Sequence, residues 1–226
     1  MNFHPFSLAG ASLRLLPSGA VHWPAEALLC VADLHLGKSE RMARRGGAML
    51  PPYEGRDTLA RLAADIAATG ANRVLCLGDS FDDDDAAKGI DDETRAALKA
   101  LAAGRDWIWI AGNHDPAARL GIGEGPMDEL HIGALVFRHI AEPGAHGEVS
   151  GHYHPKARLR TRARAIARRC MLLDPARAIL PAYGTYTGGL YCDSEPLASL
   201  MGAQAQAVML GPRPCAVPMP RLRHTG

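Results

Sequence analysis

Three short apolar runs, Leu28–Ala32, Val74–Leu77 and Trp107–Ala111, set the main constraint on this chain. Each is apolar throughout, the pattern of a strand covered on both faces. Helical spacing lies between them. Leu59, Leu62, Ala63, Ile66 and Ala67 recur at that period over residues 54–69, with Gly70 as a cap. A second helix starts at Asp91-Asp92-Glu93, acids that suit the helix dipole, and runs to about Ala103. This β-α-β-α-β rhythm predicts an α/β fold with a ligand site along the edge where the strands end.

Each run ends in residues poorly suited to packing. The first leads into Asp33-Leu34-His35-Leu36-Gly37-Lys38, the second into Gly78-Asp79-Ser80-Phe81-Asp82, the third into Gly112-Asn113-His114-Asp115. Asp and His two residues apart project from the same side of an extended segment, so both can reach one metal ion. Asn offers a carbonyl oxygen, His a titratable nitrogen, and Asp a carboxylate able to orient the His. Taken singly, the 112–115 block is equally well explained as a polar turn, and most Asp-x-His pairs are surface polar residues.

The remaining segments read more simply. Residues 11–16 and 20–23 flank Pro17-Ser18-Gly19 as a hairpin. Residues 129–132, 134–138 and 148–150 read as strands, the second ending in His139 and the third leading into Gly151-His152-Tyr153-His154-Pro155. Residues 165–174, 178–180 and 188–191 also look β-rich. One domain over residues 1–210 is expected, with 211–226 as an extended or frayed Pro- and Arg-rich tail.

Charge is locally patterned although the net charge is +1. Residues 39–53 read as a loop holding Arg41, Arg44 and Arg45, either solvated or, with Lys38, a phosphate-contacting flap. Asp82–Asp85 reads as a solvated acidic loop before a helix. Lys156, Arg158, Arg160, Arg162 and Arg164 alternate with small or apolar residues, so a strand would put them all on one side. Such a stripe is either the charged face of an edge strand or a phosphate-tracking surface.

Five scattered cysteines without a CxxC pair read as reduced, mostly buried thiols. No signal peptide opens the chain and no apolar run has membrane-spanning length, so no membrane partner and a cytoplasmic location are expected. Of ten histidines, His4, His22, His131, His146 and His224 read as surface or turn residues.

The polar clusters fall in an informative order. D-x-H at 33–35, G-D-x-x-D at 78–82, G-N-H-D at 112–115, the single His139 and G-H-x-H at 151–154 together resemble the calcineurin-like metallophosphoesterases, over about residues 28–155. The resemblance implies an α/β sandwich of two central β-sheets flanked by helices, with the site at the strand carboxyl ends. It implies two divalent transition-metal ions. Asp33, His35, Asp79 and His154 would hold the first; Asp79, Asn113, His139 and His152 would hold the second, with Asp79 bridging. Imidazole, carboxylate and amide ligands suit Mn, Fe or Zn and exclude a thiolate site. Two such ions can clamp a phosphate and generate a hydroxide for in-line attack on phosphorus. In this scheme His114 contacts the phosphate or protonates the leaving oxygen, oriented by Asp115, and Asp82 binds a ligand histidine. His146 rivals His139 as a ligand, but His139 directly follows an apolar strand.

The 33–38 block, the Arg/Gly loop ending in Pro51, the 77–79 and 151–155 blocks, and Leu180–Gly184 with Thr187–Gly189 resemble one bacterial subgroup more narrowly. Its members are associated with a DNA ligase and a helicase in DNA repair, and are described as Mn-dependent phosphodiesterases and DNA endonucleases. That implies DNA as partner, single-stranded by preference, and is compatible with a homodimer. Other readings stay open. A small-molecule phosphatase or nucleotide phosphodiesterase would not need the cations of 41–45 and 156–164. An inactive scaffold would have lost ligands. The Asp82–Asp85 run departs from the subgroup and should repel polynucleotide phosphates.

Overall fold

The structure, a computed structural model, describes residues 2–44, 46, 53–115, 121–160 and 164–221. Its first sheet contains β1 (His4–Leu8), β2 (Ala11–Leu15), β3 (Val21–Trp23), β4 (Leu28–Val31), β5 (Arg73–Leu77), β6 (Asp106–Ile110) and β7 (Glu124–Met127), in that order across the sheet. Neighbours from β1 to β4 are antiparallel, and those from β4 to β7 are parallel. The connections around β5 carry α1 (Lys38–Arg44), α2 (Glu54–Thr69), α3 (Asp84–Gly89) and α4 (Asp92–Ala102).

The second sheet holds β8 (Glu129–Ile132), β9 (Leu135–Arg138), β10 (Glu148–Ser150), β12 (Ala165–Leu173), β13 (Arg177–Ile179), β14 (Gln206–Met209) and β15 (Cys215–Pro218). β11 (Lys156–Arg160) pairs with β12, and α5 (Leu197–Leu200) lies outside the sheet.

The layers follow from the side chains. Leu28, Cys30, Leu75, Leu77, Ile108 and Ile110 face Phe137, Val149, Met171, Ala178 and Val208 of the second sheet. The alternate residues Leu29, Val31, Val74, Cys76, Trp107 and Trp109 face Leu59, Leu62, Ile66 and Leu98 of the helices. Burial on both sides explains why these strands are apolar at successive positions after their first residues. The result is the expected α/β sandwich. No helix among the described residues is long and apolar enough to cross a membrane.

Several elements differ from the sequence reading. β1 has alternating burial in its last four residues, but Pro5 and the chain start conceal it. Residues 38–44 are helical rather than loop. The acidic run begins α3, with Asp83 accepting the Ala86 N–H as its cap. β7 and β14 are strands too short to show a period. The stretch after Pro212 is extended but not frayed as far as Arg221: β15 pairs with β14, and Arg221 donates to Ala198 O and Met201 O. Gly188–Tyr191 forms no strand, only one bridge from Tyr191 to Lys156.

The segment after β13 braces the first strand end. Tyr183 N–H donates to Ala32 O at 2.8 Å and Gly184 N–H to Asp33 O at 3.0 Å. Tyr183 Oη donates to the buried Asp65 of α2 at 2.9 Å. Tyr183→Phe keeps the ring but leaves that carboxylate short of a donor. It should cost about 1–3 kcal/mol, read as a lower urea midpoint at unchanged slope.

Candidate metal centre

The polar strand ends meet between the two sheets. Asp33, His35, Asp79, His152 and His154 all have left-handed backbone, with φ of 55°, 46°, 44°, 72° and 47°. Residues 33–35 are therefore not the extended segment assumed from D-x-H spacing. Side chains in this region are strained by roughly 1–3 kcal/mol each and persist only where surroundings hold them. Here His35 N–H donates to Asp79 O at 2.9 Å, and Leu36 N–H to Ser80 O at 2.9 Å. Both oxygens of Asp33 accept the His152 N–H, at 3.1 and 3.0 Å.

Two glycines allow this crowding. A side chain on Gly112 would collide with the backbone and carboxylate of Asp79, and one on Gly78 with the His139 ring.

Two groups of donor atoms converge, Asp33 with His35 and His154, and Asp79 with His139 and His152; within each, the atoms lie within 4.8 Å of one another. The groups adjoin: Asp79 Oδ2 is 3.4 Å from His139 Nε2 of its own group and 3.9 Å from His35 Nε2 of the other. Asn113 Oδ1 lies 3.0 Å from His139 Nε2. His139 is thus the histidine among these atoms, whereas His146 is exposed on a turn.

Hydrogen bonding fixes what the ring nitrogens can do. His139 Nδ1 faces Leu77 O at 2.9 Å, and a carbonyl can only accept, so Nδ1 carries the proton. A neutral ring then turns the Nε2 lone pair toward Asn113 Oδ1, Asp79 Oδ2 and His152 Nδ1. His35 repeats the arrangement. Its Nδ1 is 2.9 Å from Asp82 Oδ1, and its Nε2 faces His154 Nε2 at 3.3 Å. Electron pairs aimed at one another repel unless a cation lies among them. The donor set fits divalent ions such as Mn, Fe or Zn.

Burial opposes the charge on Asp79, but the hydrogen bond and charge of His139, the His114 N–H and the charge of His35 outweigh it. The carboxyl is held well below the usual range. For His139, burial is outweighed by Asp79 and Asp33, and the ring is shifted up.

His114 sits at the mouth. Its N–H donates to Asp79 Oδ1 at 2.9 Å, and its Nε2 lies 4.0 Å from Asp79 Oδ2. Its Nδ1 faces Asp82 O at 3.1 Å. The expected orienter, Asp115, is engaged elsewhere: its Oδ2 accepts the Phe81 N–H at 2.9 Å, which ties the third strand end to the second. Burial, opposed by Phe81 and reinforced by Asp79, pushes the Asp115 carboxyl up to about 7.

The acidic run is largely compensated. Asp82 accepts from Arg41 Nη1 at 2.7 Å and His35 Nδ1 at 2.9 Å, with Lys38 Nζ at 3.7 Å. Burial resists, but His35, Lys38 and Arg41 draw its carboxyl down to about 2. Arg41 also reaches Asp83, and Asp85 pairs with Lys88. Lys38 and Arg41 therefore turn toward Asp82 rather than stand free as phosphate contacts. The Arg44 side chain, Arg45 and residues 47–52 lie outside the described residues, as do the Arg160 side chain and Arg162.

Lys156 and Arg158 share one face of β11, as the alternation predicts. Tyr191, overlooked in the sequence, lies under both: Arg158 Cζ is 4.2 Å and Lys156 Nζ 5.2 Å from its ring centroid. Its only signal is a distant Gly-Gly-Leu-Tyr whose Gly189 passes close to His154 O.

The chain superposes on the crystal structure of Pseudomonas putida nuclease MPE with TM-score 0.75 and 27% identity, over 96% of this chain and 100% of that one. Against a phosphoesterase from E. coli, Yfce, the TM-score is 0.42 at 14% identity, over 85% of this chain and 99% of that one. No curated protein matches. A family model described as calcineurin-like phosphoesterase matches residues 27–168, the span that holds every donor atom described above. With more than half of its length matched, the chain belongs to the calcineurin-like phosphoesterases, metal-dependent hydrolases of phosphate esters.

Proposed function

We propose that the chain is a dinuclear metal phosphodiesterase that cuts DNA internally. The carrying observation is the pair of adjoining donor groups, with His114 Nε2 facing them from the mouth. Asp33, His35, Asp79 and His154 would hold one ion, and Asp79, Asn113, His139 and His152 the other. Mn is the metal favoured by the subgroup resemblance. Two ions bound there would neutralise phosphate charge and acidify water.

The chain's own residues do the rest. His35 and His139 are held in one tautomer by Asp82 and Leu77 O, so their Nε2 atoms stay available as ligands. Asp82 O holds the Nδ1–H of His114, and a proton on Nε2 points into the site for delivery to a leaving oxygen.

Support for DNA comes from likeness to a nuclease over 96% of the chain and from the pairing of Asp82 and Asp83 with Arg41. In the wider role we propose, one domain over residues 1–210 acts in cytoplasmic DNA repair beside a ligase and a helicase.

The test supplies Mn²⁺ with circular single-stranded DNA and, in parallel, a small phosphomonoester. The circle should be linearised and then fragmented. An intact circle with the monoester hydrolysed would overturn the endonuclease reading in favour of a small-molecule phosphatase.

A further inference from the structure

We propose that a polynucleotide strand leaves the metal centre across β11, over Lys156, Arg158 and Tyr191, and not across the opposite side, past Asn113 and His139. The inference rests on the DNA-cutting reading and adds a direction to it.

The two flanks of the centre differ in charge. β11 begins two residues after His154, a member of the first donor group. Lys156 and Arg158 project from one face, and among the described residues no carboxylate pairs with either. Arg158 is exposed and Tyr191 half-buried. A guanidinium held over an aromatic ring at 4.2 Å combines a phosphate partner with a flat surface for a base. Tyr191 is fixed in place: Lys156 N–H donates to Leu190 O at 2.8 Å and Cys192 N–H to Lys156 O at 2.9 Å.

The other flank adjoins the second donor group. A groove there is lined by Asn113, His139, Asp128, Glu129, Arg138 and Glu142. Among the described residues the one arginine lining it, Arg138, is consumed. Arg138 pairs with Glu129 at 2.7 Å and with Glu142, and its Nε lies 3.8 Å from Glu148. Three surrounding acids and a committed arginine repel a phosphate backbone. A diester bound at the metals has two ends, and among the described residues counter-charge is offered to one of them. The matching occupant is a single strand, because unpaired bases can lie flat on the Arg158–Tyr191 surface.

The test compares wild type with Lys156→Ala/Arg158→Ala, Tyr191→Leu, Tyr191→Phe and Glu129→Gln/Glu142→Gln. Rates on single-stranded DNA are read across a salt series and divided by each variant's rate on bis(p-nitrophenyl) phosphate. The double cation variant should lower that ratio by about 10- to 100-fold and flatten the salt slope by about 1.4, near 0.7 per phosphate contact. Tyr191→Leu should lower it roughly 5- to 100-fold, with Tyr191→Phe restoring it, since stacking needs the ring and not the hydroxyl. Wild-type protein that leaves DNA uncut would overturn the DNA reading and the path together. Wild type that cuts DNA, with an unchanged ratio and slope in the β11 variants, would overturn the path alone. So would Glu129→Gln/Glu142→Gln if it steepened the salt slope while the β11 variants did not change it.

Discussion

Asp79→Ala should reduce phosphoesterase turnover by about a thousandfold or more and strip the protein of bound metal. The carboxylate belongs to one donor group and adjoins the other, with Oδ2 at 3.4 Å from His139 and 3.9 Å from His35. In the proposed two-ion scheme it would supply negative charge between two cations that otherwise repel. In that scheme several kcal/mol of charge stabilisation would depend on holding both ions, which is about three decades in rate. Oδ1 also accepts the His114 N–H, so the substitution loosens the third strand end. Asp79→Asn is the companion variant, because it keeps the volume and a hydrogen-bond acceptor while removing the charge. Metal content of the purified proteins and melting curves with and without Mn²⁺ give readouts independent of turnover. Ligand at a hundred times its Kd stabilises by about 2.7 kcal/mol, and both variants should lose most of that gain. Turnover or metal stabilisation that survived in Asp79→Asn would sink the two-ion scheme.

The parallel strands of the first sheet are legible because both faces are buried. Leu28–Val31 and Arg73–Leu77 need no partner information to read as strands. Their ligand-bearing ends are legible for a related reason: nothing in packing explains Asp, His and Asn directly after such runs. Residues whose role depends on contacts made late in the chain are not legible. His139 shows a lone histidine after a strand, and its lone-pair direction comes from Leu77 O, 62 residues away. The partner of Asp115 could not be read either. Sequence neighbours suggest it orients His114, yet the fold offers Asp115 the Phe81 N–H and offers His114 a backbone carbonyl.

Charge needed the fold most of all. Asp82–Asp85 reads as a repulsive acidic loop, and Arg41 as a cation free for phosphate. Because 38–44 coils into a helix against α3, Arg41 is drawn onto Asp82 and Asp83. The stripe after His154 behaves differently. Strand alternation alone puts Lys156 and Arg158 on one face, and among the described residues no acid pairs with them. Cations that look equivalent in sequence therefore divide into one set that shapes the donor rings and another set open to a ligand.

His114 is the residue whose role can be separated by the choice of substrate. It is held by Asp82 O at Nδ1 and presents Nε2 at 4.0 Å from Asp79 Oδ2, close to the donor atoms but in neither donor group. A proton delivered from Nε2 matters when the departing oxygen is strongly basic, as the sugar alkoxide of DNA is. It matters little when the departing group is p-nitrophenolate, which leaves without help. General acid catalysis is worth about 10²–10⁴-fold, so His114→Ala should lose that much on DNA and less than about tenfold on bis(p-nitrophenyl) phosphate. The comparison is made on one preparation with its metal content measured, because the His114 N–H also supports Asp79. A substitution that merely disturbed the metal centre would depress both substrates together. Equal losses on the two diesters at normal metal content would mean that His114 acts on the phosphate charge and not on the leaving oxygen.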